Sequence, residues 1–395
     1  MIVEPKILNN ICTTAHPEGC KKLVEEQINY VKSKGKIKSN IKNALIIGAS
    51  QGYGLASRIA IAYGLGAKTL NVSVGKGPDL KKNRTAGAGF YNNRAFDEFS
   101  KADGISQKNL SLDAFLNSAK ETVIKEAKEF FNGEKIDLLI YSLAAPVRLD
   151  EKTGITHRSA LKPIGETYNG MGIDFLTEEL LDVSIAPATE EDINNTVKVM
   201  GGEDWALWTN ALLDADLLAN NAINIAYSYI GPKMTQAIYR NGTIGKAKEH
   251  LEATAHELDK KMTDKINGHS YVAVAKAVVT RASSVIPTVP LYVGILFKVM
   301  KQKGIHEGCI EQMYRLLEEK LLSGNGVIVD DKNRIRLDDW ELREDVQNEV
   351  SEIWSKLNKE NVKELVDMSL FRKDYMNMHG FEMEGVDYSK DISIE

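Results

Sequence analysis

The chain is poor in cysteine: 395 residues carry only Cys12, Cys20 and Cys309. An odd, sparse set of thiols gives no disulfide framework and fits a reducing compartment. There is no excess of positive charge, with 50 Lys and Arg against 55 Asp and Glu, a net charge of −5. That excludes nucleic acid as the main partner, because phosphate backbones require a basic face; a local basic patch for a phosphorylated small molecule stays open. Long hydrophobic runs are missing as well. The most apolar stretch, Val285 to Phe297, contains Pro287 and Pro290 and stops at Lys298, too short to span a bilayer. It reads as a buried strand or a junction between loop and helix. The opening residues MIVEPKILNN lack the charged-then-apolar pattern of a leader, so no membrane association is expected and the cytoplasm is the expected compartment. No internal repeat and no low-complexity linker divides the chain.

What is present is an ordinary globular composition, 43% hydrophobic and 27% charged, with enough apolar mass for a large core. Pro17 suits a first helical position, and the basic end at Lys34 closes a helix from 17 to 34. Ala44-Leu-Ile-Ile-Gly48 is a short continuous apolar run, the signature of a strand buried on both faces of a parallel sheet. Gly54 to Gly64 reads as the next helix, Thr69 to Val74 as a second strand, Leu112 to Phe131 as a helix, and Ile136 to Leu143 as a further strand. Such alternation predicts βαβ units and an α/β fold, a doubly wound parallel sheet of Rossmann type. The stretch from Glu151 to Glu191 is polar and without period, an elaboration around the functional face rather than a domain. Beyond residue 300 the chain reads as mostly helical, with Val327 to Gln347 as a small hairpin leading into a helix.

Gly48-Ala49-Ser50-Gln51-Gly52-Tyr53-Gly54 follows the first strand and opens a helix. Glycines in the pattern G-x3-G-x-G allow a tight turn and close approach of a pyrophosphate to backbone N–H groups at a helix start. The strand before it, the helix after it and the second strand about twenty residues on strengthen the reading; a structural turn is the plain alternative. The spacing is closer to short-chain dehydrogenases than to G-x-G-x-x-G enzymes. The strand end Ser142-Leu143-Ala144-Ala145-Pro146, rich in small residues, suits a nicotinamide ribose against its backbone. Asp113 and Ala114 are candidates for the adenine, against an ordinary helix start.

The segment AYSYIGPKMTQAIYRNGTIGKAK, 226–248, holds two tyrosine–lysine pairs. A phenol beside an ammonium can stabilise a developing oxyanion and deliver a proton, and the lysine can also hold a cofactor ribose. Tyr229 and Lys233 have the spacing of one helical turn, but Gly231-Pro232 lies between them and breaks a helix. Tyr239 and Lys248 flank a turn at Asn241-Gly242, with Thr243 able to cap the helix that carries Lys248. Two unrelated surface residues remain the ordinary explanation of that spacing.

Cys12, His16 and Cys20 offer only three ligands, interrupted by Pro17 and Gly19, so a structural turn is preferred and no metal is expected. His250 and His256 read as solvent-facing. Phe297, Val278 and Val279 are candidates for an apolar pocket or for plain core.

These strings, with ICTTAHPEGC, GASQGYGLASRIA, TAGAGFYNNRAFD and SSVIPTVPLYVGILFKVM, strongly resemble the trans-2-enoyl-CoA reductases, relatives of the V-type (FabV) enoyl-acyl-carrier-protein reductases. The likeness runs from residue 2 to about 385. It implies flavin-independent reduction of an enoyl-CoA, crotonyl-CoA to butyryl-CoA, by NADH. It further implies one Rossmann-based unit over 1–395 with added helices forming a substrate portal, and a monomer. Within that unit, 1–80 is the dinucleotide-binding part, 81–320 the catalytic and substrate-binding part, and 321–395 a C-terminal segment. The family's Y-x8-K signature falls on Tyr239 and Lys248, and its substrate-contacting tyrosine on Tyr229. Its cofactor contacts fall on Gly48 to Tyr53, Asp113, Ala114, Leu143, Ala144, and Val278, Val279 and Thr280. The C-terminal segment has been labelled flavin-binding in this family, but it shows no physical flavin signature. Many relatives place a glutamate after the second strand for the adenosine ribose. Here Val74 is followed by Gly75 and Lys76, so NADPH tolerance is expected alongside NADH. Reduction of acyl-carrier-protein substrates is the alternative function. A short-chain carbonyl dehydrogenase is disfavoured by Gly231-Pro232, and a non-catalytic nucleotide-binding regulator by the absence of a DNA-binding motif.

Overall fold

The computed structural model describes residues 1–8, 10–281 and 288–395. Seven strands form one parallel sheet: β1 (Asn43–Ile47), β2 (Lys68–Ser73), β3 (Gln107–Ser111), β4 (Ile136–Tyr141), β5 (Leu218–Ser228), β6 (His269–Val274) and β7 (Arg334–Arg336). Their order across the sheet is β7-β6-β5-β4-β1-β2-β3, with every neighbouring pair parallel. The chain therefore starts in the middle, winds outward to β3, then returns to β4 and winds the other way. The reversal lies between β1 and β4, where ligands of doubly wound sheets sit.

The apolar runs become central strands because both faces of the sheet are covered. Ala44 and Ile46 of β1, with Leu138 and Ile140 of β4, pack into the cluster under helices Pro17–Lys34, Gly52–Ile59 and Cys309–Arg315. Leu45, Ile47, Leu139 and Tyr141 face the opposite cluster, under helices Asn117–Phe130, Glu203–Asp214 and Thr243–Ile266. This two-residue alternation between two cores is what a strand's pleat dictates. A third apolar cluster is built around helix Val289–Gln302 and the C-terminal helices, and Tyr229 and Tyr239 pack against it.

The helix from Pro17 to Lys34 has the expected bounds, with His16 capping it by accepting from the Gly19 N–H at 3.2 Å. Other expectations need correction. The helix read from Leu112 starts at Asn117, because Asp113 folds the chain into a turn by accepting from the Phe115 N–H at 3.1 Å. The polar stretch Gln107–Ser111 is edge strand β3, which the reading did not single out. The helix at Gly54–Gly64 begins at Gly52, and its last turn widens over Ala60–Leu65. The polar region after Val147 contains two antiparallel hairpins, Val147–Asp150 with Ile155–Arg158 and Tyr168–Asp174 with Glu179–Ile185. No hairpin forms at 327–347; instead Arg334–Arg336 joins the central sheet parallel to β6. Of the apolar stretch 285–297, residues 285–287 lie outside the described residues, and the rest is helix from Val289. Phe297 in that helix is buried core, edge-on to His306. His250 and His256 are exposed as expected, although His250 also accepts a hydrogen bond from the Gly202 N–H. Among the described residues no helix is long and apolar enough to cross a membrane, and no cluster of three or more His, Cys, Asp or Glu is placed to hold a metal.

Candidate active site

Nearly every residue singled out for a ligand lies just past the carboxyl end of a strand. Gly48 follows β1, Val74 and Gly75 follow β2, Asp113 and Ala114 follow β3, and Leu143 and Ala144 follow β4. Tyr229 follows β5, and Val278 to Thr280 lie four to six residues past β6. The parallel sheet thus brings segments far apart in sequence to one edge.

The glycine turn is packed backbone against backbone. A Cβ on Gly54 would lie 2.1 Å from the Gly48 carbonyl, and one on Gly48, whose φ is +91°, would lie 2.6 Å from the Ser142 carbonyl. Asn71 of β2 secures the turn by accepting from the Ala49 N–H at 3.1 Å. At the helix start, Gln51 occupies the capping position without bonding the first turn through its side chain. Those N–H groups are therefore left to an anionic ligand, and the residues present fit a dinucleotide's pyrophosphate. A Cβ on Gly52 would touch Thr280 at 3.6 Å, so the segment after β6 borders the same turn. The Tyr53 hydroxyl does not face outward; it donates to the Lys276 carbonyl at 2.5 Å. Past β2, Ser111 Oγ bridges Gly75, accepting from its N–H at 3.2 Å and donating to its carbonyl at 3.0 Å. Ala114 is buried and its carbonyl accepts from Trp208 Nε1 and Lys120 Nζ, while Asp113 is exposed.

Gly231-Pro232 keeps Tyr229 and Lys233 off a common helix: the chain leaves β5 at Ser228 and makes only a short 3-10 turn at Lys233–Thr235. Lys233 is exposed. Tyr239 precedes helix Thr243–Ile266, whose N-cap is Gly242 rather than Thr243. Thr243 instead ties the helix to the polar insertion: its N–H donates to the Lys162 carbonyl at 3.0 Å and its hydroxyl to the Ala160 carbonyl. Gly245 is needed one turn in, since a Cβ there would collide with the Arg240 carbonyl at 1.8 Å.

Both members of the second pair converge on the end of β5 without bonding each other. Lys248 Nζ donates to the Tyr227 carbonyl at 3.2 Å. Tyr239 meets Tyr229 edge to face, with ring centroids 5.0 Å apart. Burial pulls the Lys248 ammonium down to about 8, against an opposing pull from Glu252. Glu252 is itself held by Arg240 at 3.1 Å and Arg334 at 3.3 Å. Burial also raises the Tyr239 phenol above its ordinary value, so it stays protonated and able to donate. The two groups can together hold a hydrogen-bond donor and a cation beside a developing negative charge.

Sequence reading missed three polar residues at this edge. Asn71 left a visible signal, an amide between Leu70 and Val72 in β2. Lys276 is buried, its ammonium donating to the Ala277 carbonyl at 2.8 Å, and burial lowers its pKa. Glu341 is buried too, and accepts from Tyr229, Tyr292 and the Ala277 N–H. Glu341 gave no signal, lying in the charged run DDWELRED.

Comparison with known proteins points to the enoyl reductases. Residues 84–322 match the trans-2-enoyl-CoA reductase catalytic region, and residues 2–80 match the NAD(P)H binding domain of trans-2-enoyl-CoA reductase. Residues 329–392 match a family described as the enoyl reductase FAD binding domain. A trans-2-enoyl-CoA reductase [NADH] of Brachyspira hyodysenteriae is 74% identical over the full length of both chains. An enoyl-[acyl-carrier-protein] reductase [NADH] of Flavobacterium johnsoniae is 50% identical, over 100% of this chain and 98% of its own. The crystal structure of a Clostridium acetobutulicum trans-2-enoyl-CoA reductase in complex with NADH superposes with a TM-score of 0.96 at 47% identity, covering 100% of this chain and 98% of that one.

Proposed function

This chain belongs to the trans-2-enoyl-CoA reductase family, and we propose that it uses NADH to saturate the double bond of a short trans-2-enoyl-CoA, crotonyl-CoA to butyryl-CoA. The observation that carries this reading is the placement of Tyr239 against Tyr229 at the end of β5, two strands across from the glycine turn at the end of β1, with β4 between them.

In this proposal Gly48 to Tyr53 hold the pyrophosphate of the dinucleotide. Val74, Gly75, Asp113 and Ala114 border its adenosine, and Leu143, Ala144 and Val278 to Thr280 its nicotinamide half. Bound there, NADH supplies the hydride that reaches the β-carbon of the enoyl thioester. Tyr239 donates to the thioester oxygen as charge gathers on it, and a proton is delivered to the α-carbon, leaving the saturated thioester. Lys248, as a cation, lowers the energy of the phenol's negative charge as its proton moves and holds the ribose. The apolar cluster around Tyr229, Val279 and helix Val289–Gln302 excludes water from the acyl chain. One copy of the chain carries all of these residues, so the monomer is taken as the working unit. No step calls on a metal or a flavin.

A second reading, reduction of enoyl groups on acyl-carrier protein, is favoured by the name of the Flavobacterium relative. For either substrate the chemistry is tested by isotope placement. With NADH deuterated at the transferred position, the label should appear on the β-carbon of butyryl-CoA; in heavy water it should appear on the α-carbon. A product reduced at the carbonyl, with the double bond intact, would overturn the reading.

A further inference from the structure

The run Asp338-Asp339-Trp340-Glu341 turns back toward the site after β7, with the Leu342 N–H donating to the Asp338 carbonyl at 2.9 Å. Its two aspartates are paired with cations. Asp338 takes both arms of Arg336 at 2.7 Å, and Asp339 takes Arg315 at 2.9 Å and Lys320 at 2.7 Å. Glu341 is 0% exposed and, among the described residues, makes no ion pair. Burying a carboxylate without a cation is costly and calls for a complete set of hydrogen-bond donors. Glu341 has one: Oε1 accepts from Tyr229 at 2.9 Å and Tyr292 at 2.6 Å, and Oε2 accepts from the Ala277 N–H at 2.7 Å. Gln347 braces the same corner, donating to the Glu341 carbonyl at 2.7 Å and to the Tyr292 hydroxyl at 3.2 Å.

We propose that Glu341 is a positioning residue for the reaction: it anchors the Tyr229 hydroxyl and thereby fixes the ring against which Tyr239 stands. The inference rests on the reading that Tyr239 is the proton donor. Three segments meet at one carboxylate: the end of β5 through Tyr229, the strand-end segment after β6 through Ala277, and helix Val289–Gln302 through Tyr292. The Tyr229 ring, so held, presents itself to Tyr239 at an interplanar angle of 77°. Edge-to-face contact is directional, so a Tyr229 free to rotate leaves the Tyr239 phenol without a fixed wall. The Ala277 N–H can only donate, so an ionised Glu341 serves all three partners, whereas a protonated one must turn its own proton on one of them. Burial raises the Glu341 pKa; the Tyr292 hydroxyl, the Ala277 N–H and the nearby Lys276 charge pull it back, and Asp338 adds to the rise. The proposal also gives the segment matched to an FAD-binding family a different task, that of completing the wall of the substrate site.

The test is a double-mutant cycle read in turnover of crotonyl-CoA, with NADH affinity followed by fluorescence titration. Glu341→Gln keeps the size but sets an amide N–H₂ against the phenols or the Ala277 N–H. Glu341→Gln and Tyr229→Phe should each lower kcat about ten- to a hundredfold, the rate equivalent of one hydrogen bond to a charged group. The double variant should fall no further than the worse single variant, and NADH affinity should stay at the parent value. If Glu341→Gln does not fold, Tyr292→Phe carries the same test, with its loss of kcat disappearing in the Tyr229→Phe background. Losses that multiply in the double variant, or a Glu341→Gln enzyme with parental kcat, overturn the proposal. A Tyr239→Phe enzyme at parental turnover, measured alongside, would instead remove the reading on which it rests.

Discussion

Tyr239 and Tyr229 meet edge to face, their ring centroids 5.0 Å apart, although they lie on opposite sides of a Gly-Pro break and one approaches from a turn, the other from a strand end. The two phenols have different roles in the proposed mechanism. Tyr229 spends its hydroxyl on Glu341 at 2.9 Å, while Tyr239 stands nearer the helix that carries Lys248. Tyr239→Phe should therefore lower kcat by about 10²- to 10³-fold, the usual loss for one donor at an oxyanion, with NADH affinity retained. Tyr229→Phe should lose less. The opposite ranking in steady-state kinetics would exchange their roles.

Lys248 sets the second expectation, through its depressed pKa of about 8. In the proposed mechanism only the cation supports the phenol, so kcat/KM should decline as pH rises through about 8. Lys248→Arg, which stays charged, should move that decline upward even if the rate at neutral pH is poorer. Stability runs the other way. The folded state binds its proton less tightly than the unfolded chain, where the ordinary value is 10.5. The penalty for the buried cation is complete below about pH 8 and fades between there and 10.5, so stability rises with pH over that window. Lys233→Ala, at an exposed site, should leave the profile unchanged; a matching shift in that variant would contradict the assignment.

Gly75 governs the third. A Cβ added there would meet only Ser111 Oγ at 3.7 Å and the Phe90 ring at 4.0 Å, so a side chain fits without strain. With no carboxylate after β2 to repel a 2′-phosphate, NADPH should support slower but measurable reduction. Gly75→Glu should reduce kcat/KM with NADPH more than with NADH. A parent enzyme wholly inactive with NADPH would mean that another residue closes the pocket.

The segment matched to an FAD-binding family gives the fourth. Arg334–Arg336 extends the central sheet, Glu341 is committed to Tyr229 and Tyr292, and Val366, Met368, Phe371 and Met376 are buried against helix Val289–Gln302. Protein purified without added cofactor should show no flavin absorbance and should be fully active with NADH alone. Activity that disappears on stripping a bound flavin would refute this.

How much of this was legible in the sequence follows from burial and from distance along the chain. Strands β1 and β4 were readable as apolar runs because both of their faces are covered, and β2 through its buried Leu70 and Val72. Edge strands β3 and β7 were not: QKNLS is half-exposed, and Arg334–Arg336 is three residues long with charged ends, so neither carries a hydrophobic signal. The two hairpins between Val147 and Ile185 are likewise half-exposed and polar. The glycine turn was readable because its geometry admits nothing larger than glycine at 48 and 54. Glu341 was not, since its partners lie 112, 64 and 49 residues away and its neighbours in sequence are acids already paired with arginines.

The most direct test of the account is NADH oxidation by the purified protein with crotonyl-CoA, compared with the same crotonyl group on acyl-carrier protein. The account predicts NADH consumption matched one to one by butyryl-CoA, with a higher kcat/KM for the CoA thioester than for the carrier-linked one. Turnover confined to the carrier-linked substrate would assign the site to the second reading, and no NADH consumption with either thioester would contradict enoyl reduction altogether.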